Sequence, residues 1–254
     1  ILIALLSNYF IAKWVLDGAW RWMLGIEVLP AILFFLLTYT IPLSPAWLIS
    51  KGKIKEAEKI AHKLKINLQT SLKDQESAKS LYTKPFRKSM YLVIFIALFN
   101  QLSGINAILY YAPRIFREAG LSVNLAFLST AGIGLVNLAF TLAGMILIDR
   151  WGRKKLLYLG SIGYLVSLTG LALAFYINAS GSYVVALIFL FIASHALGQG
   201  AVIWVFIAEL FPTSLRASGQ ALGSTVHWVL ATIVPSALPF LIASIGASGV
   251  FTVF

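Results

Sequence analysis

Three apolar stretches of this chain are interrupted by side chains that both give and accept hydrogen bonds. The first holds Asn100, Gln101, Ser103, Asn106, Tyr110 and Tyr111; the second His195, Gln199 and Trp204; the third Gln220, Ser224, His227 and Trp228. Asn137 stands in an apolar run between the first two. A carboxamide offers two donors and an acceptor oxygen with two lone pairs. Asn, Gln and His can therefore pair with adjacent hydroxyls without burying a full charge, and Trp adds a flat apolar face. No Arg or Lys lies mid-run, so an anion would find no cationic partner there. The set suits a neutral, hydroxyl-rich solute. Interhelical hydrogen bonding is the competing explanation. It accounts for a single residue such as Asn137, but does not require so many on three helices.

Spacing sets geometric conditions. On a straight helix Gln101 and Asn106 point about 140° apart. They can line one cavity only if it is wide or the helix is distorted, and Gly104 and Pro113 supply the means. Ala196, Gly200 and Trp204 recur every four residues and should share a face, with Gly200 leaving room beside the Trp; for Gly198 and Gly200, close helix packing is the alternative. His195 and His227 lie 32 residues apart with no third ligand in view, so neither a metal site nor a cofactor is expected. Asp149 and Glu209 fall at run ends beside Arg, which reads as ion pairing rather than acid–base catalysis. Glu27, about 7.5 Å into its run if helical, should find a partner near the interface. His62, on a polar segment, reads as a solvated surface residue.

The elements that must position these groups are helices in a membrane. Of 254 residues, 59% are hydrophobic and 11% charged, where a soluble domain carries about 25% charged. A helix needs roughly 20 apolar residues to cross a bilayer. Such runs recur at 22–41, 90–112, 124–148, 156–177, 183–208 and 218–243, with shorter ones at 1–12 and 249–254. Both ends fall inside apolar sequence, so a fragment of a longer protein is expected. The absence of cysteine excludes disulfide frameworks and Cys-zinc sites.

The net charge of +11 is segregated: segment 44–88 carries 11 Lys/Arg against 4 Asp/Glu, and Asp149–Lys155 adds four bases and one acid. Basic loops of membrane proteins face the cytoplasm. Placing 44–88 inside puts 149–155 and 209–217 inside, and 13–21, 113–123, 178–182 and 244–248 outside. Arg114 and Arg117 are the outward exceptions, partly balanced by Glu118. Orientation thus explains the charge, and nucleic-acid binding is not expected. Within 44–88, Ile54, Ala57, Ile60, Ala61 and Leu64 form one helical stripe over Ile54–Leu68. The expected organisation is the last helices of one bundle at 1–43, a cytoplasmic helical linker at 44–88 and most of a second bundle at 89–254.

At four places the chain resembles the sugar porter family of the major facilitator superfamily. NQLSGINAILYYAPRIF (Asn100–Phe116) is similar to that family's QQxSGxNxxxYY signature, and DRWGRKK (Asp149–Lys155) to its turn after the eighth helix. GQGAVIWVFIAELFPTSLR (Gly198–Arg216) resembles its tenth helix and exit, and PLSPAWL (Pro42–Leu48) the PESPRWL ending the sixth. Four motifs in order are specific where one would be weak. The resemblance implies an all-α membrane bundle, read from late in the fifth helix to early in the twelfth. It implies a multi-pass cell-membrane carrier of sugar working by alternating access, as a monosaccharide:proton symporter or a facilitator, and functioning as a monomer. Carriage of another neutral polyol such as a cyclitol, and a transporter-like sugar sensor, stay open.

Carried over by position, Gln101, Asn106 and Asn137 fall on sugar-binding positions, and Asn100 keeps the amide of the first Gln. Gly200 and Trp204 match contacts on the tenth helix. His227 replaces an Asn or Gln, Trp228 matches its aromatic neighbour, and His195 stands where an aromatic is common. Tyr110 and Tyr111 match the outer gate. Asp149, Arg153, Glu209 and Arg216 match a cytoplasmic charge network, expected to pair as Asp149–Arg153 and Glu209–Arg216. Leu43 and Ala46 replace the Glu and Arg of PESPR, which should weaken one cytoplasmic charge link and alter the stability of the outward-open state.

Overall fold

The computed structural model describes residues 1–15, 17–65 and 81–254, and every regular element in them is helical. In chain order the helices are α1 (Leu2–Trp14), α2 (Ala19–Gly25), α3 (Val28–Thr38), α4 (Pro45–Ser50), α5 (Ile54–Leu64), α6 (Arg87–Leu102) and α7 (Ile105–Glu118). Then come α8 (Val123–Trp151), α9 (Arg153–Tyr176), α10 (Gly181–Ser194), α11 (Ala201–Glu209) and α12 (Thr213–Val253). Among the described residues, six helical stretches are long and apolar enough to cross a membrane: Ala19–Thr38, Lys84–Glu118, Val123–Trp151, Arg153–Tyr176, Gly181–Glu209 and Ser214–Val253.

The junctions between helices follow from residue type. Gly152 is the single residue between α8 and α9, with φ 80° and ψ 160°, a conformation that disfavours a Cβ. α6 and α7 are separate helices because the chain breaks at Ser103–Gly104, where Gly104 takes φ 77°. α12 contains a second break at Gly246, φ 72°, inside the expected outer loop 244–248. Between α10 and α11 the chain stays helical but widens into a π turn over His195–Gly200. That turn is held closely from two sides. A Cβ at Gly198 would lie 2.8 Å from the Leu156 carbonyl oxygen and 2.9 Å from Gly160 Cα on α9. A Cβ at Gly144 on α8 would lie 3.1 Å from the Leu197 carbonyl oxygen. Small residues let helix backbones approach where lipid offers no hydrophobic drive to association.

The largest core cluster joins α7, α8, α9 and α10 through residues such as Ile108, Phe116, Ile133, Leu171, Ile188 and Phe191. A second, with Val93, Ile203, Ile207 and Phe211, binds α6 to α11 and the start of α12. α1 packs on α8, where Leu2 meets Gly134. No residue of α2 or α3 is buried. α4 packs against α5, burying Leu48, Ala57 and Ala61, so two of the five stripe residues are inside while Ile54 and Leu64 stay exposed. The part of the 44–88 linker at 66–80 lies outside the described residues.

Candidate functional site

The break at Gly104 turns the opposed positions of Gln101 and Asn106 toward each other. Asn106 Nδ2 donates to Gln101 Oε1 at 2.8 Å. Gln101 Nε2 donates to Asn100 Oδ1 at 3.0 Å and reaches the His227 ring on α12, 3.0 Å from Nδ1 and 3.3 Å from Nε2. A carboxamide nitrogen has only donors, so the His227 nitrogen it engages is the one with a lone pair. Three of the four hydrogen-bonding positions of Gln101 are thus occupied, and one lone pair on its oxygen remains. Asn100 and Gln101 are 2% and 1% exposed, so the centre of this hub is nearly dry, where hydrogen bonds are strong and unpaired groups costly, while Asn106 and His227 are half-buried.

Aromatic rings close the hub on one side. Trp204 from α11 meets His227 edge-on at 4.9 Å, and Trp228 meets it edge-on at 5.2 Å. Gln220 Nε2 donates to the Trp204 carbonyl at 3.0 Å, tying α12 to α11. Trp228 also lines a cavity of about 570 Å³ with Tyr110, Tyr111, Thr232 and Ser236. The chain thus brings Asn100, Gln101, Asn106, Trp204, His227 and Trp228 together, with Tyr110 and Tyr111 beside Trp228. Asn137 stands apart, half-buried on α8, and its side chain makes no hydrogen bond among the described residues.

His195 and Gly200 occupy the π turn in an arrangement that the four-residue spacing does not anticipate. The room at Gly200 is filled by the His195 ring, not left beside Trp204: a Cβ there would lie 3.2 Å from His195 Cδ2. The wide turn changes the register, so spacing by four no longer marks one face. His195 Nδ1 is hydrogen-bonded to the Tyr164 hydroxyl on α9 at 2.5 Å, and the two rings are nearly parallel. Sequence reasoning passes over Tyr164. The signal available was a phenol in the middle of the apolar run 156–177, between the tyrosines near its two ends.

At the basic end of the bundle, Arg153 forms a two-pronged pair with Glu209, Nε to Oε2 at 3.1 Å and Nη2 to Oε1 at 2.7 Å. Its Nη1 lies 3.5 Å from Asp149 Oδ1. The expected Glu209–Arg216 pair is therefore replaced by Glu209–Arg153, and Arg216 instead donates to the Ala208 carbonyl at 3.0 Å. The reason is placement: α9 and α11 are held side by side by the glycine contacts of the π turn. On the opposite side Arg114 pairs with Glu118 at 3.0 Å. Glu27 is exposed at the junction of α2 and α3 and forms no ion pair among the described residues, so the partner expected for it is not found. A further cavity, about 770 Å³, lies between α6, α9 and the end of α12 and contains none of the Gln101 group.

The groups gathered here are neutral donors and acceptors beside aromatic rings. The family model described as "Sugar (and other) transporter" matches residues 1–254. The chain is 34% identical over 248 residues to the D-xylose-proton symporter of Escherichia coli (strain K12), covering 92% of this chain and 50% of that protein. It is 34% identical over 254 residues to the arabinose-proton symporter of Bacillus subtilis (strain 168), covering 95% and 55%. The chain thus spans about half the length of these curated relatives. Among solved structures, the proton:xylose symporter XylE bound to 6-bromo-6-deoxy-D-glucose superposes with a TM-score of 0.83 at 31% identity, covering 99% of this chain and 57% of that one. A multi-pass helical membrane chain with this match from end to end belongs to the sugar (and other) transporter family, within the major facilitator superfamily.

Proposed function

We propose that the carrier containing this chain moves a monosaccharide across the cell membrane by alternating access, as a proton symporter or by facilitated diffusion. The observation that supports it most is the dry Gln101 hub, in which neutral amides and an imidazole from α6, α7 and α12 converge beside Trp204 with no buried charge. Ring hydroxyls act as donor and acceptor at once and suit the remaining lone pair of Gln101; the amide of Asn137, which stands apart on α8, is a separate neutral group for the same kind of solute. The names of the relatives support a sugar as solute and protons as the coupling ion for two of them. In this reading a monomer is the working unit in the bilayer.

In this reading residues 1–43 end one bundle, 44–88 link it to the next, and 89–254 form most of the second, which rocks against the first about the sugar. The Arg153–Glu209–Asp149 cluster holds the cytoplasmic side closed in one state, and Tyr110 and Tyr111 close the other side. With Leu43 in place of an acidic residue, the first bundle contributes less to that cytoplasmic closure; restoring Glu at 43 and Arg at 46 should shift the balance of conformers.

The test is uptake of labelled D-xylose, D-glucose, L-arabinose and inositol by cells expressing the intact carrier. Saturable uptake of an aldose is expected, abolished in the combined variant Gln101→Ala, Asn106→Ala, Trp204→Ala. Uptake that survives the triple change overturns the site. Loss of accumulation with a proton uncoupler separates symport from facilitated diffusion.

A further inference from the structure

Neither Tyr164 nor His195 lies in the four sequence motifs, yet the two side chains meet between α9 and the π turn. Tyr164 lies on α9 and is 9% exposed. Its ring stacks on Phe191 at 4.8 Å and runs nearly parallel to His195, with 7° between planes. Phe191 thus holds the Tyr164 ring, and one ring contact and a hydrogen bond from Tyr164 hold the imidazole. Gly200 completes the fit, since the His195 edge that carries Cδ2 and Nε2 lies where a Cβ at Gly200 would stand, 3.2 and 3.3 Å from those atoms.

Hydrogen-bond chemistry then sets the proton. A phenol is a stronger donor than an imidazole N–H, and an imidazole lone pair is a stronger acceptor than a phenol oxygen, so the Tyr164 O–H donates to Nδ1. A neutral imidazole has one donor and one acceptor nitrogen. With Nδ1 accepting, the proton resides on Nε2. Among the described residues no hydrogen-bond partner meets Nε2. This edge of the ring packs along Gly200, one turn from Trp204.

We infer that Tyr164 is a positioning residue for solute recognition: it locks His195 in the Nε2–H form, so that this nitrogen donates to a hydroxyl oxygen of the bound solute. The inference rests on the proposed function and names a specificity determinant of that site. It implies discrimination among sugars at the one hydroxyl that meets His195, because a solute lacking that oxygen leaves the N–H unpaired.

The experiment uses the intact carrier and the variants Tyr164→Phe, His195→Phe and their combination. Tyr164→Phe keeps the stack and removes only the hydroxyl. Its KM for the transported aldose should rise about five- to tenfold with the maximal rate nearly unchanged, the scale of one lost hydrogen bond. The double variant should be no worse than His195→Phe alone, since Tyr164 acts through His195. Nitrogen NMR of the labelled carrier should show His195 protonated at Nε2, and a mixture of tautomers in Tyr164→Phe. An unchanged KM in Tyr164→Phe, additive effects in the double variant, or a wild-type proton on Nδ1 overturns the inference. The last readout needs neither uptake nor a folded variant, so it decides the matter even if Tyr164→Phe fails to accumulate. A wild-type carrier that takes up no sugar sinks the proposed function instead.

Discussion

At the scale of single residues, Gln101 bears the most weight. Replacing it with Ala removes hydrogen bonds to Asn100, Asn106 and His227 and leaves a nearly dry Asn100 oxygen without its donor. Unsatisfied buried groups cost about 1–3 kcal/mol each. Gln101→Ala should therefore lower both the melting temperature and the sugar affinity, the latter by about ten- to a hundredfold. Calorimetric titration with the transported aldose checks this, and unchanged affinity would show that the hub only ties helices together. The pairing of Gln101 with Asn106 was legible in the sequence as a condition, because 140° had to be undone and Gly104 was the residue able to do it. Tyr164 was not legible. A tyrosine within an apolar run reads as packing until the neighbouring helix brings a His to its hydroxyl, and nothing in the spacing of either run announces that meeting.

At the scale of elements, the glycines of α9 and the π turn make a prediction that separates backbone from side-chain contact. A Cβ at Gly160 would lie 2.9 Å from the Ser194 carbonyl oxygen and 3.1 Å from Gly198 Cα, both backbone. At Gly132 the nearest atom, 2.7 Å away, is the tip of the Phe189 ring, which can rotate aside. Gly160→Ala should destabilise by about 1–3 kcal/mol and Gly132→Ala by clearly less. Thermal unfolding of the purified carrier measures the order, and equal losses would refute the account. The spans themselves were readable from run length, since the bilayer imposes it. An interruption at 244–248 was readable too, although it is realised as a break at Gly246 rather than an open loop. The π turn was not readable: periodicity presumes a constant pitch, and a local widening arises from packing against Gly144 and Gly160, which lie far away in sequence.

At the scale of the whole molecule, the Arg153–Glu209 pair joins helices that are 56 residues apart in sequence. Its side chains are 30% and 48% exposed, so its contribution to stability is small, about 0–1 kcal/mol. Its effect should appear as conformer balance instead. Glu209→Arg should open the cytoplasmic side by up to about fivefold in labelling rate of an introduced surface cysteine, and Arg153→Glu in the same protein should restore it. Failure of the exchange to restore closure would remove this pair from the latch. Sequence placed the right charges at this end but mated Glu209 with its near neighbour Arg216. The true partner depends on how α9 lies along α11, which only the assembled bundle decides.

One short helix carries both of these ends. α11 has nine residues, and Trp204 and Glu209 are five apart on it, about 7.5 Å along its axis. It follows directly on the π turn His195–Gly200, which joins it to α10. The helix therefore works as a crank with two pins, one against the imidazole of His227 and one in the fork of Arg153. A twist of α11 that frees either contact displaces the other as well, because both are fixed to the same helix of about two and a half turns.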